Sequence, residues 1–150
     1  MEPLVDTVME DLRWEGSLPP LADSAARATL AALCLDPARF EIVVMGCDDA
    51  RIATLNAGFR GKPVATNVLS WPSEDRAADA PGGMPKLPRG QADHARELGD
   101  IAISYDSCAR EAAEQVWPDI RPCSLVHQTW QQLVLCGRLI PAPGKRALQE

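Results

Sequence analysis

The chain has no C-x-x-C pair, only two histidines and no apolar run long enough to cross a bilayer. Each shortage removes a class of function. Five cysteines, Cys34, Cys47, Cys108, Cys123 and Cys136, make an odd number without paired spacing, which suits reduced cytosolic thiols and predicts no disulfide partner. The longest apolar stretches, Ile42 to Met45 and Ala25 to Leu35, are too short or too polar to span a membrane. No basic segment precedes an apolar run near the N-terminus, so neither export nor a membrane role is expected, and the predicted location is cytoplasmic. Positive charge is also scarce. Fifteen Lys and Arg against 21 Asp and Glu give a net charge of −6, which argues against a general electrostatic grip on nucleic acid. Any RNA substrate would need a local basic patch, and two stretches supply one: Arg51, Arg60 and Lys62, then Lys86, Arg89 and Arg96. No phosphate-binding glycine loop is present, no internal repeat is visible, and no Ser or Cys nucleophile has a base beside it.

What is present is the composition of an ordinary globular protein, 46% hydrophobic and 24% charged over 150 residues. A chain of this length can bury roughly 68–70% of its unfolded surface, so residues 1–150 are expected to form a single domain. Residues 4 to 14 are ambiguous: Leu4, Val5, Val8, Met9 and Leu12 fit a helical stripe, while Val5-Asp6-Thr7-Val8 could alternate as a strand. Asp23 to Leu35 reads as a helix with Ala26, Leu30, Leu33 and Cys34 apolar, stopped by Asp36-Pro37. Phe40 to Met45 is a β-branched run expected to be a buried strand. Asp48 and Asp49 offer N-cap oxygens to a helix carrying Ile52, Leu55 and Phe59 on one face and ending near Gly61. Thr66 to Trp71 reads as a strand closed by Pro72. Residues 72–97 hold four prolines and three glycines and read as a long surface loop, a length that in compact domains often marks function or mobility. Leu98 to Ser104 returns to strand, Asp106 or Ser107 can cap a helix through Gln115, and Pro122 can open a last helix to about Leu139. The order predicts an α+β domain, a small mixed sheet packed with helices.

Two phrases stand out: Asn56-x-x-x-Arg60 running on to Thr66-Asn67-Val68-Leu69-Ser70-Trp71-Pro72, and Leu98-Gly99-Asp100-Ile101-Ala102-Ile103-Ser104. Together they resemble the YbeY family of metal-dependent endoribonucleases, over about residues 40 to 115. The resemblance implies a metallohydrolase-type fold, favours a strand for the first segment, and implies zinc-dependent hydrolysis of single-stranded RNA in ribosomal RNA maturation and ribosome quality control. It also implies ribosomal RNA, a ribosomal protein or a GTPase as partner. The family's third phrase, H-G-x-L-H-L-x-G-Y-D-H, holds zinc through three histidines; here the sequence reads His127-Gln128-Thr129-Trp130-Gln131-Gln132-Leu133-Val134-Leu135-Cys136-Gly137.

His127 therefore takes the place of the first zinc ligand, and the second and third fall on Gln131 and Gly137. A neutral amide is a poor zinc ligand and glycine has no side chain, so the family site is incomplete in the diverged segment 116–150. Cys123, four residues before His127, and Cys136 could replace the lost ligands, since thiolate and imidazole both suit zinc. His94 sits in the polar loop and is expected to be solvated. By the resemblance, Arg60 lies in the substrate groove as a catalytic and RNA-binding residue, its fork suited to a phosphodiester oxygen, with Lys62 assisting by charge. From the sequence alone, a cation at a helix C-terminus is the favoured reading of Arg60, and the family phrase brings the two readings level. Thr66-Asn67 and Gly99 are expected to serve turns and close backbone approach, and Asp100, if buried, to need a structural hydrogen bond. Two other readings stay open: a non-catalytic ribosome-associated interaction domain, and a defective product with an altered C-terminus.

Overall fold

The computed structural model describes residues 4–83, 86–90 and 93–114. Its first element is a strand, β1 (Val5–Met9), followed by a 3-10 turn at Leu12–Trp14. Pairing settles the ambiguity of residues 4 to 14: β1 lies parallel to β2 (Phe40–Cys47), with Val5 opposite Ile42 and Met9 opposite Gly46. A sheet neighbour outweighs a helical stripe only five residues deep.

Between these strands runs α1 (Leu18–Ala32), which starts five residues before the predicted Asp23. Pro19 and Pro20 occupy its first turn, where the amide hydrogens would have no intrahelical partner, so the two prolines open the helix. Its end also falls earlier than expected. Leu33 is the C-cap and Cys34 adopts a left-handed φ of 57°, exposed, so neither extends the apolar face. Leu18, Ala22, Ala25, Ala26 and Leu30 form that face, and it packs on Ile42 and Val44 of β2 and on Ile101 and Ile103 further along the sheet.

α2 (Asp49–Arg60) follows the sequence reading closely: Asp48 accepts from the Arg51 amide at 2.8 Å, and Gly61, left-handed at φ 68°, ends the helix. Ile52 and Leu55 bury against Met45, Cys47, Leu69 and Ala102, so α1 and α2 cover opposite faces of the sheet. β3 (Val68–Pro72) begins two residues later than predicted and includes Pro72 at its end; β4 (Arg96–Ser104) begins two residues earlier. The sheet order is β1-β2-β4-β3, parallel except for antiparallel β3. This mixed four-stranded sheet with helices on both faces is the predicted α+β arrangement.

β4 carries one irregularity that matters for the site. Glu41 pairs with Glu97 and Ile42 with Gly99, so Leu98 is an extra residue opposite β2. The bulge shifts the alternation of side chains by one. Leu98 packs in the α1-side core with Ile101, although they are three positions apart, an odd spacing that would put them on opposite faces of a regular strand.

α3 (Tyr105–Glu114) leaves β4 without a break, so Asp106 and Ser107 lie in its first turn and do not precede it as caps. Their side chains serve α2 instead. Asp106 Oδ2 accepts from the Asp49 amide at 3.1 Å, and the Ser104 and Ser107 hydroxyls each donate to Asp49 Oδ1 at 2.6 Å. Arg110 donates to Asp49 Oδ2 at 2.9 Å. Burial alone would raise the Asp49 carboxyl, but the two hydroxyls and the guanidinium together bring it down to about 2. A carboxyl depressed from 3.8 in the unfolded chain stabilises the fold above that value and loses the effect as pH falls through about 2. Asp49→Asn is therefore expected to cost about 2 kcal/mol at pH 7. Denaturant unfolding should show that gap closing between about pH 4 and pH 2; a gap that persists at pH 2 would exclude the carboxylate as its source.

The predicted last helix after Pro122 lies outside the described residues, as does Gln115.

Candidate functional site

β3 and the last turn of α2 converge on one face of the sheet. The register places Trp71 opposite Asp100, and Val43 of β2 flanks Asp100 on the other side. Directly opposed residues of antiparallel strands share a face with Cβ atoms about 4.5–5.5 Å apart, so the indole and the carboxylate are neighbours. Phe59, the penultimate residue of α2, meets the Trp71 ring edge-on at 5.1 Å. Arg60 follows Phe59, exposed, in the last turn of α2.

The segment after Arg60 is tied back to its helix. Asn56, 2% exposed, donates from Nδ2 to the Val64 carbonyl at 2.9 Å, and the Lys62 amide donates to the Asn56 carbonyl at 3.3 Å. Asn56 Oδ1 is buried with no hydrogen-bond partner. Thr66 donates to Asn67 Oδ1 at 3.5 Å and the Ser104 amide to the Asn67 carbonyl at 2.9 Å, the turn role expected of this pair. Gly99 also acts as expected, since a Cβ there would overlap the Trp71 carbonyl and come within 2.9 Å of Pro72 Cα.

Ion pairs thin out the two basic stretches. Arg51 is held by Glu10 at 2.9 Å, Lys86 by Asp79 at 3.0 Å, and Arg96 by Glu74. Arg60, Lys62 and Arg89 have no ion pair among the described residues, and of these Arg60 and Lys62 lie together at the end of α2.

Asp100 departs from expectation. No hydrogen-bond donor among the described residues reaches its carboxylate, although the side chain is partly buried; burial and the nearby Glu97 push its pKa up to about 6. The structural hydrogen bond predicted for it is absent among those residues: Val43 offers no donor, and the Nε1–H of Trp71 is buried without a hydrogen-bond partner among them.

The loop after β3 has neither helix nor strand from Ser73 to Ala95 among the described residues, but it is less superficial than its composition suggests. Arg76 is 4% exposed, its Nη2 3.2 Å from Ser73 Oγ, while its Nε has no partner. Ser73 in turn donates to the Glu97 carbonyl at 2.7 Å, so the start of the loop is fastened beside β4. His94 is exposed.

No group of three His, Cys, Asp or Glu side chains converges as a metal site requires among the described residues. His127, Cys123 and Cys136, the ligands considered from sequence, lie outside them, with Gln131 and Gly137. Cys47 offers no thiolate, since burial and the nearby Glu10 and Asp48 push its pKa up to about 12. Two residues of the site carry no label in the sequence reading. Trp71 was visible as the end of a strand and a member of the first phrase, and its place beside Asp100 depends on register; Asn56 was visible only as the start of that phrase.

A model of the family described as Endoribonuclease YbeY matches residues 17–127. The match extends beyond residues 40 to 115 on both sides. An Endoribonuclease YbeY of Dinoroseobacter shibae is 58% identical over 111 residues, 73% of this chain and 61% of that protein. Those of Cereibacter sphaeroides and Ruegeria pomeroyi are each 58% identical, over 79% and 72% of this chain and 72% and 65% of their own length. The chain thus spans less than two thirds of the first and third of these relatives.

Proposed function

The chain belongs to the YbeY family, and from that premise we propose that it acts on single-stranded RNA in ribosomal RNA maturation, as an endoribonuclease in the manner its relatives' names describe. The observation that carries this reading is the site at the end of α2. An exposed arginine, without an ion pair among the described residues, follows Phe59 of an aromatic pair, in a chain whose net charge of −6 gives it little other means of holding a polyanion.

In this reading Arg60 binds a non-bridging phosphate oxygen of the cleaved linkage through its planar fork, and Lys62 adds charge along the strand. A positioned cation of this kind acts on the charge that develops in the transition state, where it is worth more than in water. Lys62, exposed and free to rotate, steers and does not orient.

His127 is the residue proposed to hold zinc, which when bound supplies a water whose pKa is lowered to about 7. His127 lies outside the described residues, and among these no group of three His, Cys, Asp or Glu side chains assembles in its place. Gln131 and Gly137 stand where the resemblance puts the remaining histidines. That observation supports a second reading, a domain that binds ribosomal RNA or a ribosomal protein or GTPase in the cytoplasm without cutting.

Elemental analysis of the full chain, expressed with Zn2+ and compared with His127→Ala, separates the two. Near-stoichiometric zinc that disappears in the variant, together with cleavage of a labelled single-stranded RNA, is expected for the nuclease. RNA binding without zinc and without cleavage would leave the binding domain alone.

A further inference from the structure

The face of the sheet that α2 covers is only partly closed. Ile52 and Leu55 seal Met45, Cys47, Leu69 and Ala102, but the helix ends at Arg60, and around its last turn, where Phe59 meets Trp71, the strands carry Val43, Asp100 and Trp71, each partly exposed. On this stretch an aromatic ring and a carboxylate stand side by side across β3 and β4.

Two features make the pair unusual. A partly buried carboxylate ordinarily recruits donors, because desolvation without hydrogen bonds is costly; Asp100 has none among the described residues. Its pKa, pushed up to about 6 by burial and by Glu97, leaves it charged at neutral pH with its acceptor sites free. Trp71 for its part is held by the edge-on contact with Phe59 at 5.1 Å, so the ring is fixed in orientation before any ligand arrives. A rigid aromatic beside an unsatisfied acceptor is the arrangement by which proteins take up an unstacked base, one group giving the platform and the other reading the Watson–Crick edge.

We propose that Trp71 and Asp100 form a base-reading subsite, in which a nucleobase of single-stranded RNA stacks on Trp71 and guanine is selected through Asp100. This rests on the RNA reading given above. A carboxylate offers two parallel acceptors and no donor. Of the four RNA bases only guanine presents two adjacent N–H donors, N1–H and N2–H, on its Watson–Crick edge; uracil, cytosine and adenine each present an acceptor beside their donor, which the carboxylate repels. Arg60, adjacent in sequence to Phe59, supplies the phosphate contact for the same nucleotide. Glu97 and Asp100 together would otherwise repel a polyanion, so the subsite contributes selection and Arg60 with Lys62 contributes attraction.

The test uses the full chain and four fluorescein-labelled decauridylates carrying a single central G, A, C or U, with binding followed by anisotropy at low temperature and probe integrity checked by gel. The G-containing probe is expected to bind at least about fivefold more tightly than the other three. Asp100→Asn, isosteric and free of the desolvation penalty, should unfold at or above the wild-type temperature at pH 7, keep binding to all probes, and lose the preference for G. Trp71→Leu should weaken all four probes alike, by about fivefold or more. Equal binding of the four probes by the wild type, or a G preference that survives in Asp100→Asn, would overturn the subsite and leave the RNA reading standing. Failure of the folded wild type to bind any of the four would overturn both.

Discussion

Gly99→Ala is expected to be among the most damaging single substitutions in the described part of the chain. Gly99 has φ of 151°, in the region that side chains rarely enter, and lies at the bulge of β4. An added Cβ would meet the Trp71 carbonyl and Pro72 Cα at 2.9 Å, both backbone atoms of a paired strand that cannot turn away. Backbone strain of about 1–3 kcal/mol adds to a similar cost for overpacking, so a loss of about 2–6 kcal/mol follows. For a domain of this size each kcal/mol lowers the melting temperature by roughly 2–4 °C, giving a drop of roughly 4–24 °C. Gly58 is the internal control: it sits inside α2 with nothing within 4 Å of a built Cβ. Gly58→Ala should raise stability by about 0.5–1 kcal/mol through helix propensity. Thermal unfolding of the two variants with wild type checks both signs. A Gly99→Ala protein melting within a degree of wild type would show that β3 can shift away from β4.

In the nuclease proposed above, Arg60→Ala is expected to lower the single-turnover rate of cleavage of a labelled single-stranded RNA by about 10²-fold, the scale of removing one donor to a developing oxyanion. Arg60→Lys keeps the charge and loses the planar fork, and should recover only part of that rate. The competing role, a cation facing the C-terminal dipole of α2, is worth about 0.3–1 kcal/mol of stability and leaves the rate untouched. Rate and melting temperature measured on the same three proteins therefore separate the two roles. A normal rate in Arg60→Ala would return Arg60 to the helix terminus and take the phosphate contact away from this site.

Much of the architecture could be read from local chemistry. The Asp48 cap and Gly61 stop bounded α2 because both act through the backbone within a turn of the residue concerned. β2 was legible as a β-branched run, and its two extra residues at the C-terminal end, Gly46 and Cys47, joined it because pairing with β4 continues to Ser104. The start of α1 was misread because Pro19 and Pro20 are breakers inside a helix and openers at its first turn, and sequence alone does not say which position they occupy. Asp49 was read as a cap. Its partners Ser104, Ser107 and Arg110 lie 55 to 61 residues away, and only the fold brings them to it. The same holds for the site: Arg60 was named from its phrase, whereas the pairing of Trp71 with Asp100 needed the register of β3 and the bulge in β4. Arg76 was invisible as a buried cation because its neighbours in the chain are those of a surface loop.

The bulge at Leu98 and Gly99 also sets how the chain tolerates changes of length. An insertion or deletion in the exposed part of the loop between β3 and β4, away from Ser73 and the buried Arg76, changes mainly the cost of closing that loop, which grows slowly with the number of residues. One residue removed at the bulge cannot be absorbed in this way. Either Leu98 leaves the α1-side core, or the rest of β4 rotates by half a period and carries Ile101 and Ile103 to the face of α2 while Asp100, Ala102 and Ser104 turn toward α1. In the first case the core empties, and in the second Asp49 loses its Ser104 hydroxyl and Trp71 its carboxylate neighbour. Sequence length is therefore free to drift a few residues before β4 and is fixed within it.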